Sequence, residues 1–304
     1  MSLRVGRDRQ LAAVVAEVRG FDPTGSRTAR VLRETFDQLY DGQRTGRYRW
    51  DQLYKTEKTH CGTLVEINLQ REFKFSDGEF LDYSIADIDV DCKYSQTIGG
   101  WMIPPEARDR ICLLLSAADT ATPTWSMGIV RASAGNLNLG ANRDAKSTLN
   151  LAGRTAIAWI YRNAPLPPNV LLRLDPATVD RIFAQASGQK RINELFRSAL
   201  GTVIGRGAVA TVAQQDDYMK RVRANGGART HLRPEGIIIL GQFQSHVAIA
   251  RALQVPIPGH GESVSVRITP AKKRRSGVVA IDRRLWKVAR PGDSIVMAPD
   301  LPSI

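Results

Sequence analysis

The stretch Leu81-Asp82-Tyr83-Ser84-Ile85-Ala86-Asp87-Ile88-Asp89-Val90-Asp91-Cys92-Lys93, read with a period of two, separates into two chemically opposite faces. Tyr83, Ile85, Ile88, Val90 and Cys92 fall on one. If the chain reverses at Ala86-Asp87, a two-residue hairpin loop sets Ile85 beside Ile88 and Asp82 across from Asp91, with Ser84, Asp89 and Lys93 on the same polar face. Like charges opposed on an antiparallel pair repel, so the arrangement makes sense when a cation lies between them. Lys93, two residues past Asp91, completes an Asp, Asp-x-Lys set, the shape of a metal-dependent phosphodiesterase centre. The plain alternative is a solvated acidic hairpin face, since Ala86-Asp87 lacks the strong Asn-Gly turn signal.

The segment upstream favours the first reading. Lys55 to Phe73 reads as a helix from about Thr63, with Leu64, Ile67 and Arg71 near one stripe and Val65, Leu69 and Phe73 near another. Glu66 sits in its most apolar turn. A carboxylate there pairs, neutralises or binds a metal, because an unpaired buried charge costs several kcal/mol. The competing structural role is a salt bridge to Lys58 or Arg71.

The chain has 304 residues, enough for two ordinary domains, and its 43% hydrophobic and 24% charged content is that of a globular protein. Its net charge of +13 is uneven. Lys plus Arg stand against Asp plus Glu as 22 to 20 over residues 1–164 and as 21 to 10 over residues 165–304. A basic second half points to a polyanion partner, nucleic acid ahead of an anionic membrane surface. Cys61, Cys92 and Cys112 have neither paired nor CxxC spacing, so no disulfide framework or zinc site is indicated and a reducing cytoplasm is the expected compartment. The apolar runs, Ile111 to Leu115 and Ile237 to Leu240, are too short to span a bilayer, and the start carries no export signal.

Helical patterns cover about Arg9 to Val18 and Thr28 to Tyr40, the second closing at Asp41-Gly42. After the hairpin, Arg110 to Ala117 and Thr124 to Ala132 read as buried strands, and Leu151 to Ile160 as a helix closing a mixed α/β domain over residues 1–164. Ala164-Pro165-Leu166-Pro167-Pro168-Asn169 reads as a linker into a second domain over residues 165–304. There, Ser187-Gly188-Gln189-Lys190 is a polar gap between helices Pro176 to Ala186 and Ile192 to Ile204.

Beyond a short helix at Val209 to Gln214, Asp216-Asp217 supplies an N-cap to a basic helix, Tyr218 to Asn225, stopped by Gly226-Gly227. Lys220, Arg221 and Arg223 lie off its core stripe, Arg229 and Arg233 follow, and Ile237 to Leu240 reads as a strand. Helix, turn, basic helix and strand is the order of a winged helix-turn-helix, whose second helix enters a DNA major groove. An ordinary basic surface helix is the alternative. Lys272-Lys273-Arg274-Arg275 is a separate charge run, expected as a solvated hairpin tip adding phosphate affinity.

Five stretches are distinctive: Asp37 to Arg47, Lys55 to Phe73, Asp91-Cys92-Lys93, Ala141-Asn142-Arg143-Asp144, and Thr211 through Arg233-Pro234-Glu235-Gly236 to Gly241. On these the chain resembles the NaeI family of type II restriction endonucleases, with divergence in the first twenty residues and past Phe243. The resemblance implies a homodimer whose subunits carry an N-terminal endonuclease domain of the PD-(D/E)xK fold and a C-terminal domain like the DNA-binding part of catabolite activator protein. It implies that the second domain holds an additional copy of the duplex recognition sequence and activates cleavage by the first. The family's catalytic centre carries over onto Glu66, Asp82, Asp91 and Lys93, the four residues the hairpin and helix select independently. The proline that often precedes its first Asp is Leu81 here. Leu39-Tyr40-Asp41-Gly42 is also similar to the Lys-x-Asp-Gly signature of nucleotidyl-transferring ligases, but without the Lys no covalent adenylate forms.

The expected chemistry is hydrolysis of duplex DNA to 5′-phosphate and 3′-hydroxyl ends, with Mg²⁺ held by Asp82, Asp91 and Glu66 and with Lys93 orienting water. The rivals are a transcription regulator, whose sensing domain has no need of this acidic set, and a structure-specific nuclease, which shares it.

Overall fold

The computed structural model describes residues 8–138 and 144–302, so Ala141, Asn142 and Arg143 of the fourth distinctive stretch lie outside the described residues. The chain divides into two compact units, one comprising residues 1–39 and 53–168 and the other residues 40–52 and 169–304. Both are α/β, with sheets flanked by helices.

The first unit is built on one six-stranded sheet in sequential order, β1 (Ser76–Asp77), β2 (Tyr83–Ile85), β3 (Ile88–Ser95), β4 (Ile111–Ala117), β5 (Thr124–Arg131) and β6 (Ala158–Pro165). Every neighbouring pair is antiparallel except β3 and β4, which run parallel and set Asp91 beside Cys112. All seven residues of β4 are buried, as a central strand covered on both faces requires. The hairpin turns at Ala86-Asp87, both left-handed at φ 54° and 58°, and pairs Tyr83 with Val90 and Ile85 with Ile88.

Helices α1 (Arg9–Phe21), α2 (Ser26–Tyr40) and α4 (Lys55–Phe73) belong to this unit. The buried stripe of α4 is Cys61, Val65, Leu69 and Phe73, spaced by four. Phe73, Phe75 and Tyr83 continue it as a chain of rings with centroids 5.5 and 5.1 Å apart, joining α4 to the apolar face of the hairpin. The helix expected over Leu151 to Ile160 is a short α5 (Leu151–Ala156), capped by the Asn150 side chain, and then strand β6. The aromatic and β-branched run Trp159-Ile160-Tyr161 suits a strand, and pairing with β5 decides it.

In the second unit, α3 (Gly42–Thr45) sits against α8 (Arg206–Ala213) so closely that a Cβ on Gly42 would lie 2.0 Å from the Thr211 hydroxyl oxygen. Tyr48 stacks on Phe183, and the Asn169 amide donates to the Tyr48 carbonyl. Helices α6 (Pro176–Phe183) and α7 (Gly188–Ser198) share a core with α8 through Ile182, Ile192, Phe196 and Val212. The expected polar gap at Ser187 to Lys190 is the cap and first turn of α7, since the Ser187 hydroxyl accepts from the Lys190 amide. The helix expected through Ile204 stops at Ser198, and β7 (Val203–Gly205) follows.

The basic α-helix expected over Tyr218 to Asn225 does not form. Tyr218–Val222 is a 3-10 turn, and a four-residue α9 (Ala228–His231) follows. Asp217 does not cap; its carboxylate takes the Arg221 guanidinium instead. The chain also folds back too tightly for a longer helix, with the Gly227 Cβ position only 2.5 Å from the Arg223 carbonyl.

Strand β8 (Ile237–Leu240) pairs with β9 (Glu262–Pro270), which also pairs with β7, and α10 (Gln244–Leu253) lies between β8 and β9 in sequence. Beyond β9 come β10 (Val278–Ile281) and β11 (Arg284–Val288), with β11 hydrogen-bonded between β9 and β10. The run Lys272 to Arg275 is therefore not a hairpin tip. It lies in a connection that leaves β9 and crosses β11 to reach β10.

Candidate active site

Alternation along β3 sends Asp91 and Lys93 to one side, and β2 places Asp82 at the level of Asp91. The Lys93 ammonium lies 2.7 Å from Asp91 Oδ1 and 3.5 Å from Asp82 Oδ2. The cation required between the two carboxylates is thus supplied, in this state, by the chain itself. Lys93 also donates to the Cys92 carbonyl at 2.8 Å, and Asp82 Oδ2 accepts the Cys92 amide at 2.6 Å. Backbone and side chains together fix the three groups.

Asp91 is 3% exposed, and its Oδ2 is buried without a hydrogen-bond partner among the described residues. Burial pushes this carboxyl up to about 6, against the opposing pull of Lys93. Glu66, on α4, is raised by burial and then by the charge of Asp82, with Lys93 opposing. Among the described residues no ion pair joins Glu66 to Lys58 or Arg71, and the charges acting on it are those of Asp82, Lys93 and Asp91. Burial works to lower Lys93, but Asp91 and Asp82 outweigh it and the ammonium is held above its ordinary value. Lys93 is therefore a fixed positive charge and not a base near neutral pH.

Among the described residues no three Asp, Glu, His or Cys side chains are drawn together closely enough to grip a metal ion. The donor set nevertheless fits a hard divalent cation. It offers carboxylate oxygens alone, one of them buried and unpartnered, and both causes that raise Glu66 and Asp91, burial first and the neighbouring carboxylate charge after it, are ones a cation relieves.

Two supporting contacts join residues whose faces the sequence shows but whose partners it does not. Asp89 accepts the Glu79 amide at 2.8 Å and the Phe80 amide at 3.2 Å, clamping the loop that delivers Asp82. The Tyr83 hydroxyl donates to the Glu66 carbonyl at 2.7 Å, tying α4 to the hairpin. A cleft of about 690 Å³ borders this face, with Phe80, Ser84, Asp89 and Arg110 in its walls, but it does not include Glu66, Asp82, Asp91 or Lys93.

The five basic residues picked out in the second unit fare differently. Arg229 turns inward, donating to the Ile239 carbonyl at 3.0 Å and lying over the Phe243 ring. Arg233 is held by the Ala298 carbonyl and by Asp300. Arg221 is committed to Gln215 and Asp217, and Lys220 lies 3.8 Å from Asp217. Arg223 is exposed.

Comparison with known proteins gives two findings. The family model described as "Restriction endonuclease NaeI" matches residues 12–297. The chain is also 50% identical over 303 residues to the "Type II restriction enzyme NaeI" of Lentzea aerocolonigenes, covering 97% of this chain and 95% of that protein. No helix among the described residues is long and apolar enough to cross a membrane.

Proposed function

The chain belongs to the NaeI family of type II restriction endonucleases and is a site-specific DNA nuclease, and on that premise we propose that it hydrolyses duplex DNA in a Mg²⁺-dependent reaction at Glu66, Asp82, Asp91 and Lys93, leaving 5′-phosphate and 3′-hydroxyl ends. The observation that carries this reading is the Lys93 ammonium set between Asp91 and Asp82 while the second oxygen of Asp91 stays buried and unpartnered.

Asp82, Asp91 and Glu66 would hold the ion, which when bound would polarise the phosphoryl group and acidify water. Lys93, positive throughout, neutralises charge developing on the scissile phosphate and donates a hydrogen bond that orients the attacking water. Asp89 and the Cys92 amide keep Asp82 in register with Asp91. The sheet that carries these residues supports a PD-(D/E)xK-type core for the first unit.

For the second unit the proposal is a winged helix-turn-helix that holds another DNA copy. Its support is the order α7, β7, α8, a short basic helical segment, β8 and β9, with β9 hydrogen-bonded to both β7 and β8. A homodimer then presents paired catalytic centres and paired holding sites. Occupancy of the second site would accelerate cleavage only through unequal affinity for two states of the enzyme.

The test is cleavage of one-site and two-site plasmids with Mg²⁺, followed by sequencing of the ends. The reading expects slow cutting of the one-site plasmid and acceleration by a short cognate duplex added in trans. Equal rates without response to added duplex would leave a conventional endonuclease. Cleavage undiminished by Asp91→Ala would remove the centre.

A further inference from the structure

A concentration of uncommitted positive charge in the second unit lies away from the Lys220–Arg233 segment. Lys272, Lys273, Arg274 and Arg275 are all exposed, as are Arg283 and Arg284. Among the described residues none of the six makes an ion pair or a side-chain hydrogen bond, and Asp282 is the one acidic residue from 271 to 284. In Lys220, Arg221, Arg229 and Arg233, by contrast, the charge is already answered by Asp217, Asp300 or main-chain carbonyls.

The backbone beneath the six charges is fixed. The Ala271 amide donates to the Leu285 carbonyl at 2.8 Å, so Lys272 leaves the sheet beside Arg284. The far end is held by the Val278 amide on the Arg275 carbonyl and by the Gln254 side chain on the Ser276 hydroxyl at 2.9 Å. A two-residue turn with both residues left-handed, Asp282 and Arg283 at φ 47° and 60°, presents Arg283, and Arg284 opens β11 opposite Ile281. Like charges concentrated on an anchored frame repel one another, and among the described residues no ion pair relieves that repulsion, Asp282 being the one carboxylate in the stretch. A polyphosphate would. A membrane surface suits the patch less well, because among the described residues no large apolar side chain is exposed between 271 and 284 to enter lipid.

We propose that the crossing connection Lys272–Arg275, with Arg283 and Arg284, is the surface through which the second unit grips the phosphate backbone of duplex DNA. It rests on the reading that this unit holds DNA, and it moves the main electrostatic contact from the Lys220–Arg233 segment to the β9–β11 sheet. Such contacts fix position without reading bases, leaving Arg223 and its neighbours to approach a groove.

The experiment uses the full-length protein in metal-free buffer, a thirty-base-pair duplex and a salt titration from about 50 to 200 mM. Two variants are compared with wild type: Lys272, Lys273, Arg274 and Arg275 all changed to Gln, and Lys220→Gln with Arg223→Gln. The fourfold variant is expected to melt as wild type does, to reduce the slope of log K against log salt by about three units, and to bind at least about tenfold more weakly at 100 mM salt. The double variant should change the slope by less. Wild-type slope and affinity in the fourfold variant would overturn the proposal, as would a loss confined to binding of phosphatidylserine vesicles. If wild type itself showed no salt-dependent binding, the failure would lie in the reading of the second unit as a DNA holder.

Discussion

The two units treat charge in opposite ways. In the first, Lys93 is drawn between two carboxylates, three-quarters buried, and the partners are so close that each alters the protonation of the other. In the second, six exposed cations stand in water around the β10–β11 edge of the sheet, and among the described residues none of them makes an ion pair. Charges of the first kind act over a few ångströms through a poorly polarisable medium and are little affected by salt. Those of the second kind act at the range of the Debye length and weaken as salt rises. A nuclease needs both: one set to stabilise a transition state, the other to gather a polyanion. The same residue types do either task according to burial.

The largest expected effect lies in the first unit. Lys93→Ala should reduce the rate of plasmid cleavage in Mg²⁺ by at least about 10²–10³-fold, the usual cost of losing a preorganised charge in a shielded site. DNA affinity at fixed salt should change by far less than with the fourfold neutralisation on the crossing connection. If Lys93→Ala mainly weakened binding and spared the rate, the division of labour between buried and exposed charge would be wrong.

Much of that division was legible beforehand, and the reason is geometric. Strand alternation has an exact period of two, so Asp82, Asp91 and Lys93 could be put on one face from their spacing alone, and Glu66 stood out as a carboxylate in an apolar turn. The basic helix was not legible, because Tyr218 to Asn225 has an amphipathic pattern yet is too short to nucleate and is turned back by Gly226-Gly227. Nor could the charge run at Lys272 be placed, since sequence does not reveal which strand lies between β9 and β10. Asp89 was visible on the polar face, but its clamp on the Glu79 and Phe80 amides depends on a loop of no regular period.

Acid should separate the units next. His246 is 3% exposed in the second unit, its Nδ1 accepting the Gly241 amide, and burial followed by the charge of Arg229 holds its imidazole down to about 4. An unfolded imidazole titrates near about 6.5, so between those values the unfolded chain binds more protons than the folded one. Stability of the second unit is then full above about pH 6.5 and falls by on the order of 3 kcal/mol as pH drops towards 4. Asp91 in the first unit, pushed up to about 6, does the reverse. The folded state binds the extra proton between about pH 4 and 6, so its burden on stability eases as pH falls through that window. Thermal unfolding followed at both pH values should show the second unit losing ground, and His246→Asn, which keeps an acceptor for Gly241, should flatten that loss. An unchanged acid slope in the variant would assign the sensitivity elsewhere.

A smaller effect tests where the second unit begins in the sequence. Gly42→Ala improves helix propensity in α3, but its Cβ would press on Thr211 and on the Arg47 carbonyl, 2.8 Å away. Overpacking of this kind costs about 1–3 kcal/mol. The melting of the second unit should fall while the first is spared. A stabilised protein would show that propensity wins and that residues 40–52 are only loosely seated.

The smallest effect returns to the hairpin. Ala86 and Asp87 both occupy the left-handed region, at φ 54° and 58°, which a two-residue hairpin needs and which an alanine side chain resists by roughly 1–2 kcal/mol. Asn-Gly is the pair that adopts this turn most readily. Ala86→Asn with Asp87→Gly should therefore stabilise the first unit by about 1 kcal/mol, partly offset by the freedom that glycine adds to the unfolded chain. Neither side chain reaches Asp82, Asp91 or Lys93, whose positions depend on the Cys92 amide and the pairing of β2 with β3. Cleavage by the double variant should then match wild type while its melting temperature rises. A rise in stability accompanied by loss of cleavage would mean that the strained turn itself is required to hold the carboxylates apart, and that the first unit stores strain in its backbone as well as in its buried charges.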